Sequence, residues 1–260
     1  MDWAHGLSGL LVGVLVGATG VGGGSLMAPI MILLLGVSPT TAVGTDLWFA
    51  AITKSVGSVV HHSVGQPDWQ VVKRLALGSI PASIATSLFL AQLDMGQMKT
   101  GLIINALGVI LIITALATLS WRRIQTMALN FDPVVAAAYQ KRQPAVTVLA
   151  GVILGVLVTL TSIGAGALGA AMLLALYPLR MTAQRLVGTD IVHAVPLTIV
   201  AGMGHLLMGN VDFPLLGALL IGSIPGIIIG SLLATRLDGS YVRIALAVVL
   251  VFTGAKMLMS

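Results

Sequence analysis

Eight near-continuous apolar stretches run along the chain, over residues 7–36, 41–64, 71–93, 98–119, 145–179, 186–208, 213–235 and 241–259. Most come close to the roughly 20 residues that a membrane-spanning helix needs. They are continuous and do not alternate apolar with polar, which predicts helices and argues against the strands of a closed barrel. The first run carries its own interruption, GATGVGGGSLMAP, with Gly17, Gly20, Gly22, Gly23 and Gly24 in its middle. Each glycine costs a helix interior about 1 kcal/mol relative to Ala. The run therefore predicts two short helices of about 14 residues, each roughly 21 Å long against a hydrocarbon core of roughly 30 Å. Such a pair makes a hairpin that enters and leaves on one side.

The pattern occurs twice. GTDLWFAAITKSVGSVVHHSVGQPDW from Gly44 returns as GTDIVHAVPLTIVAGMGHLLMGNVDF from Gly188. At this spacing of 144, Asp46 falls on Asp190, His61 on His205, Asp68 on Asp212, and Gly78-Ser79-Ile80-Pro81 on Gly222-Ser223-Ile224-Pro225. Upstream the spacing is 142, with Gly22 and Gly24 on Gly164 and Gly166. Shared apolar composition would not align Asp, His and Pro in this way. The expected organisation is a first transmembrane repeat over 1–119, a polar linker over 120–144 containing Trp121-Arg122-Arg123 and Lys141-Arg142, and a second repeat over 145–260.

Charge decides the orientation of the copies. If each is a broken-helix hairpin plus three spanning helices, the second is inverted. One side then collects Lys73, Arg74, Arg122, Arg123, Lys141, Arg142, Arg180, Arg185, Arg236 and Arg243, and the other only Lys99 and Lys256. Four crossings per copy would make the copies parallel and divide the basic residues almost evenly. The positive-inside rule favours the inverted arrangement, with the linker cytoplasmic and both termini outside. The predicted fold is an all-α integral membrane protein of two inverted-topology repeats.

Composition agrees: 57% of the 260 residues are hydrophobic and 8% charged, too few polar groups to coat a water-soluble globule. A net charge of +5 reports loop orientation in such a chain and implies no nucleic-acid partner, since no basic cluster interleaves with aromatics. Asp2 and His5 stand where a signal peptide would be basic, and no cleavage pattern follows, so the first segment is expected to be retained. With no Cys, thiolate metal sites and thiol nucleophiles are excluded.

Inverted repeats with broken helices are a recurrent plan of secondary transporters, with the site near the midplane where half-helix ends meet. The second half-helices would begin at Gly22-Gly23-Gly24-Ser25 and at Gly164-Ala165-Gly166-Ala167, presenting unpaired backbone N–H groups suited to an anion. The alternative for these small residues is tight helix packing. Asp46 and Asp190, in apolar runs, read either as helix caps or as proton sites coupled to the anion. Thr45 and Thr189 could donate hydroxyls to an oxyanion. His193 stands three residues after Asp190 on one helical face, where the two could relay a proton or simply bond to each other. Lys54 is the basic residue inside an apolar segment, with Thr198 as its counterpart. It could attract the anion or pair with Asp46 or Asp68. His61 and His205 read as bonding to turn carbonyls, and Asp68 and Asp212 as starting turns or helices.

GATGVGGGSLMAPIM followed by VGTDL, then Gly65-Gln66-Pro67-Asp68 and the Gly-Ser-Ile-Pro segment, resembles the sulfite exporter TauE/SafE family over nearly the whole chain. The resemblance implies a transporter of the bacterial inner membrane for sulfite, sulfoacetate or a related sulfur-containing anion. The second half departs from the pattern, with Gly164-Ala165-Gly166 less glycine-rich and no counterpart to Pro29, so the two hairpins are expected to contribute unequally. No cofactor or catalytic residue is expected: a membrane enzyme would need a convergent set such as His-Glu-x-x-His, and the five His are dispersed. A passive anion channel and a cation or metal transporter are the alternatives. A homo-oligomer is compatible with the sequence.

Overall fold

The computed structural model describes residues 3–19, 24–60, 66–93, 97–120, 126, 133–164, 166–177, 180–234 and 239–259. Among them are ten helices and no strand: α1 (Trp3–Thr19), α2 (Gly24–Leu33), α3 (Pro39–Val60), α4 (Trp69–Gln92), α5 (Gln97–Leu119), α6 (Pro133–Thr161), α7 (Ala167–Leu176), α8 (Ala183–Leu207), α9 (Phe213–Ala234) and α10 (Gly239–Met259). Five helical segments, in α4, α5, α6, α8 and α9, are long and apolar enough to cross a bilayer. Leu77, Leu88, Ile221, Leu232 and Phe252 are each more than half exposed on the outside. That much bare apolar surface is covered by lipid, and the chain is a multi-pass membrane protein.

Both glycine-containing runs break as expected, but the limbs are unequal. α1 has 17 residues and α2 has 10, while α6 has 29 and α7 has 10. At 1.5 Å per residue the second limbs reach only about 15 Å, half the apolar core. The first limbs are longer than the expected 14 residues, and α6 carries a segment, Arg142–Thr161, long enough to cross. The helix α6 also extends back into the stretch read as linker, because Pro133 suits a first helical position and Ala136, Ala137 and Ala138 behind it are strong helix formers. The second break is helped by Gly164, whose φ of 124° lies where only glycine is comfortable.

Asp46 and Asp190 do not cap helices. The helix α3 begins seven residues before Asp46, at Pro39, where the Ser38 hydroxyl oxygen accepts the Thr41 N–H at 3.3 Å. In α8 the cap is Thr182, which accepts the Arg185 N–H at 3.3 Å. Ser-Pro and Thr, each able to satisfy an orphan N–H, take the starts in place of Gly-Thr-Asp, and both Asp fall inside helices. Asp68 and Asp212 do start helices, accepting the N–H of Val71 at 3.3 Å and of Leu215 at 2.9 Å.

Packing exchanges partners between the two halves. α1 lies along α9 and α6 along α4. A Cβ added at Gly9 would stand 2.1 Å from the Leu219 carbonyl oxygen, and at Gly13 2.4 Å from that of Ser223; at Gly151 and Gly155 the distances to the Leu75 and Ser79 carbonyl oxygens are 2.3 Å. Backbones touch along both seams, as small residues allow between helices in lipid. The partner numbers rise together, so each pair runs parallel. In α3 and α8 they run oppositely: Gly44 meets Asn210, Trp48 Nε1 donates to the Gly202 carbonyl at 3.1 Å, and Lys54 meets Asp190. The cap residues lock the same exchange. The N–H of Asp212 donates to Thr45 Oγ1 at 3.0 Å, and that of Asp68 to Thr189 Oγ1 at 2.9 Å.

Candidate functional site

Asp46 and Asp190 each stand seven residues inside their helices, about 10 Å from the start at 1.5 Å per residue. Because α3 and α8 are antiparallel, the two carboxylates lie at matching depths from opposite ends. Both residues are buried, at 0% and 5% exposure, so each needs a partner.

The partners differ. The Ser162 hydroxyl, at the break between α6 and α7, donates to Asp46 Oδ2, and the backbone N–H of Ala28 in α2 faces the same carboxylate. Ser162 has a φ of 60°, a left-handed conformation that costs a non-glycine residue roughly 1 kcal/mol. Its sequence counterpart at the spacing of 142 is Gly20, which is the signal that could have marked it. Asp190 instead forms an ion pair with Lys54, Nζ to Oδ2 at 3.5 Å, both side chains buried. Its other oxygen lies over the first turn of α7, where a Cβ on Gly169 would be 2.7 Å from Oδ1. Each carboxylate thus stands beside the opening turns of a short helix.

Pairing with a carboxylate such as Asp46 or Asp68 is the alternative that the sequence offers for Lys54, and the antiparallel crossing brings it to the carboxylate of Asp190. His193 does not take its hydrogen bond from Asp190. Its Nε2 lies 2.8 Å from Ser79 Oγ of α4, and it joins the same buried region as a neighbour of the ion pair. Thr45 and Thr189 both accept the cap N–H groups described above, and Thr189 Oγ1 already donates to the Arg185 carbonyl at 2.6 Å. In this conformation they brace the two halves. Gly22 and Gly23 lie outside the described residues. Gly24 opens α2 with Ser25 behind it. Gly164 and Gly166 flank the second break, and Ala167 opens α7.

His205 Nε2 donates to the Thr159 carbonyl at 2.9 Å. That carbonyl belongs to the last turn of α6, where carbonyls lack helical partners, so the acceptor is a helix end and not a turn. His61 lies outside the described residues. A cluster missed from sequence surrounds Asp68: Arg180 bonds it through Nε at 2.5 Å and the terminal nitrogen at 2.9 Å, and Arg185 lies at 3.2 Å. Arg180 also stacks over Tyr177, whose hydroxyl accepts from Arg74 at 3.2 Å. Its only sequence signal was the shared position of these residues on the basic side. Among the described residues, no three His, Asp or Glu converge as a metal site would need.

The family model for the sulfite exporter TauE/SafE matches residues 6–257. The chain belongs to the TauE/SafE family. Among its relatives is the "Probable membrane transporter protein YjnA" of Bacillus subtilis, 38% identical over 214 residues, covering 80% of this chain and 81% of that protein. The "Probable membrane transporter protein MJ0441" of Methanocaldococcus jannaschii is 27% identical over 210 residues, 78% of this chain and 72% of the relative. "Probable membrane transporter protein YdhB" of Bacillus subtilis is 26% identical over 210 residues, 79% of each. No solved structure matches the chain. The matched span of this TauE/SafE chain includes both breaks, both buried carboxylates and Lys54.

Proposed function

We propose that this TauE/SafE protein is a secondary transporter that carries a small sulfur-containing anion, of the sulfite or organosulfonate class, across the bacterial inner membrane with protons as the coupling ion. The anion is held between the opening turns of α2 and α7, with Lys54 supplying positive charge and Asp46 and Asp190 as the candidate proton sites. The observation that carries the reading is the approach of the Asp190 carboxylate both to Lys54 at 3.5 Å and to the first turn of α7. A protein carboxylate there sits where an anion is suited, beside an ammonium and against the first turn of a short helix, whose dipole favours negative charge.

In this reading the chain is two inverted repeats, 1–119 and 145–260, joined across 120–144. The antiparallel α3 and α8, and the parallel pairing of α1 with α9 and α6 with α4, support it, because equivalent helices of inverted repeats must run oppositely. The joining segment is cytoplasmic and both termini periplasmic. Cysteine variants test this cleanly in a chain that has no Cys. A Cys at Gln140 should be shielded from an impermeant thiol reagent in intact cells and one at Ser260 labelled; the opposite result refutes the orientation.

The site itself is tested by Gly24→Val. A branched side chain at the start of α2 should abolish the thermal stabilisation that sulfite or methanesulfonate gives the purified protein, while expression and folding persist. Normal binding and flux by this variant in liposomes would dismiss the helix-start site. Flux of the unaltered protein with and without an imposed pH gradient separates the coupled carrier from a channel.

A further inference from the structure

Lys54 and Asp190 come from α3 and α8, are 5% exposed each, and face each other at 3.5 Å. The groups around Asp190 can be named element by element. α3 presents Lys54 and, two helical turns earlier, Asp46. α7 presents the backbone of Gly169 and contains no ionisable residue. α4 contributes Ser79, bonded to His193 of α8 itself, and its cap Asp68 with Arg185 beyond Thr189. The break after α6 contributes Ser162, which is turned to Asp46. Away from the helix ends, where Asp68 meets its arginines, the pair is the direct meeting of opposite charges among these groups, and it sums to zero.

A buried net charge is costly in a low-dielectric interior, whereas a matched pair is tolerated. An anion that takes the place of the carboxylate at Lys54 leaves one negative charge too many as long as Asp190 stays ionised. Only a proton on Asp190 restores the balance. Empty, the centre holds Lys54 as a cation and Asp190 as an anion; loaded, it holds Lys54, a monovalent anion and a neutral Asp190 carboxyl. Both sum to zero, and both can cross between the two access states without carrying net charge through the apolar region.

We infer that the Lys54–Asp190 pair makes this site a charge-matched carrier for monovalent anions, each moved together with one proton that Asp190 takes up on one side and releases on the other. This deepens the carrier reading above and rests on it. The proton arrives from the medium with the anion, binds the carboxylate as its contact with Lys54 opens, and leaves with the anion when the ion pair re-forms. Asp46, held by the Ser162 hydroxyl and remote from Lys54 along α3, takes no part in this exchange. A divalent anion would bring one uncompensated charge and be excluded or carried against a voltage cost.

The test uses the full chain in liposomes with two probes, methanesulfonate as a permanently monovalent sulfonate and sulfoacetate as a divalent one. Methanesulfonate accumulation should follow an imposed pH gradient with one proton per anion and should not change when the membrane potential is clamped at different values. Sulfoacetate should be moved at least about tenfold more slowly or show voltage dependence, tenfold being the effect of about 1.4 kcal/mol in the barrier. Asp190→Asn should lose pH-driven accumulation but retain exchange of internal for external methanesulfonate, because Lys54 keeps its charge and the empty carrier cannot return. Lys54→Gln with Asp190→Asn leaves no unpaired charge to disturb folding, and should lose exchange as well. Voltage-dependent methanesulfonate transport, or pH-driven accumulation surviving in Asp190→Asn, overturns the inference and leaves the carrier reading standing. Failure of the unaltered protein to move or bind any sulfonate or sulfite overturns both.

Discussion

Asp46 and Asp190 carry the same Gly-Thr-Asp, stand at the same place in equivalent helices and are both buried, yet one is met by a hydroxyl and the other by an ammonium. The difference arises at two positions outside the shared motif. Lys54 corresponds to Thr198, and Ser162 to Gly20. A repeated sequence thus supplied two equal carboxylates, and unrepeated residues gave them unequal chemistry. The ends of the molecule show the same divergence. Asp68 and Asp212 make the same cap, but only Asp68 has arginines against it among the described residues.

Removing one member of the ion pair should cost most. Lys54→Ala or Asp190→Ala leaves a buried charge alone and is expected to destabilise by about 3–5 kcal/mol, read as a lowered unfolding temperature in detergent. Lys54→Met with Asp190→Leu should recover most of that loss; if the double variant is as unstable as the worse single one, the pair is not the cause. The glycine seams come next. Gly151→Ala and Gly9→Ala each drive a Cβ into a facing carbonyl and should cost about 1–3 kcal/mol through forced separation of the helices. Gly217→Ala in α9 meets nothing within 4 Å and should be neutral or gain up to about 1 kcal/mol; equal effects at the three positions would rule out the seam.

Asp68→Ala and Asp212→Ala should each lose about 1 kcal/mol from the cap. The two partly exposed arginines should make the Asp68 variant the worse by no more than about 1 kcal/mol, a difference that shrinks in high salt. Salt-independent equality would remove the contrast between the two ends. The smallest effect belongs to Asp46→Asn. The amide oxygen can still accept from Ser162, so stability should change by about 1 kcal/mol or less, and methanesulfonate should still be driven by the pH gradient. Loss of coupling here, with coupling kept in Asp190→Asn, would assign the proton to the other carboxylate.

Much of the architecture was legible because it depends on local or periodic properties. Apolar length marked the helices, glycine density marked the breaks near Gly24 and Gly164, and Asp68 and Asp212 announced their helix starts. Gly-Thr-Asp misled as a cap signal because Ser38-Pro39 and Thr182 upstream satisfy the first N–H groups just as well, and the apolar run absorbs an Asp once it has a partner. The length of α6 was hidden because a polar surface on a helix and a polar linker have similar composition. The cross-half bonds of Thr45 and Thr189 to the cap N–H groups of Asp212 and Asp68 were hidden because a hydroxyl in a sequence carries no direction.

By itself the sequence determined a membrane-embedded, helical, twice-repeated chain, since burying or exposing apolar segments of a given length is decided by composition along the chain. It also fixed which residues exist in one copy only, Lys54 and Ser162 among them. Which carboxylate each of these would meet was decided by tertiary structure. Lys54 and Asp190 are 136 residues apart, Ser162 and Asp46 are 116 apart, and both meetings depend on the antiparallel crossing of α3 and α8 with the breaks folded in beside them. A Coulombic or hydrogen-bonded contact acts over a few ångströms, so only the packing of distant segments could choose between the pairings that the sequence left equal.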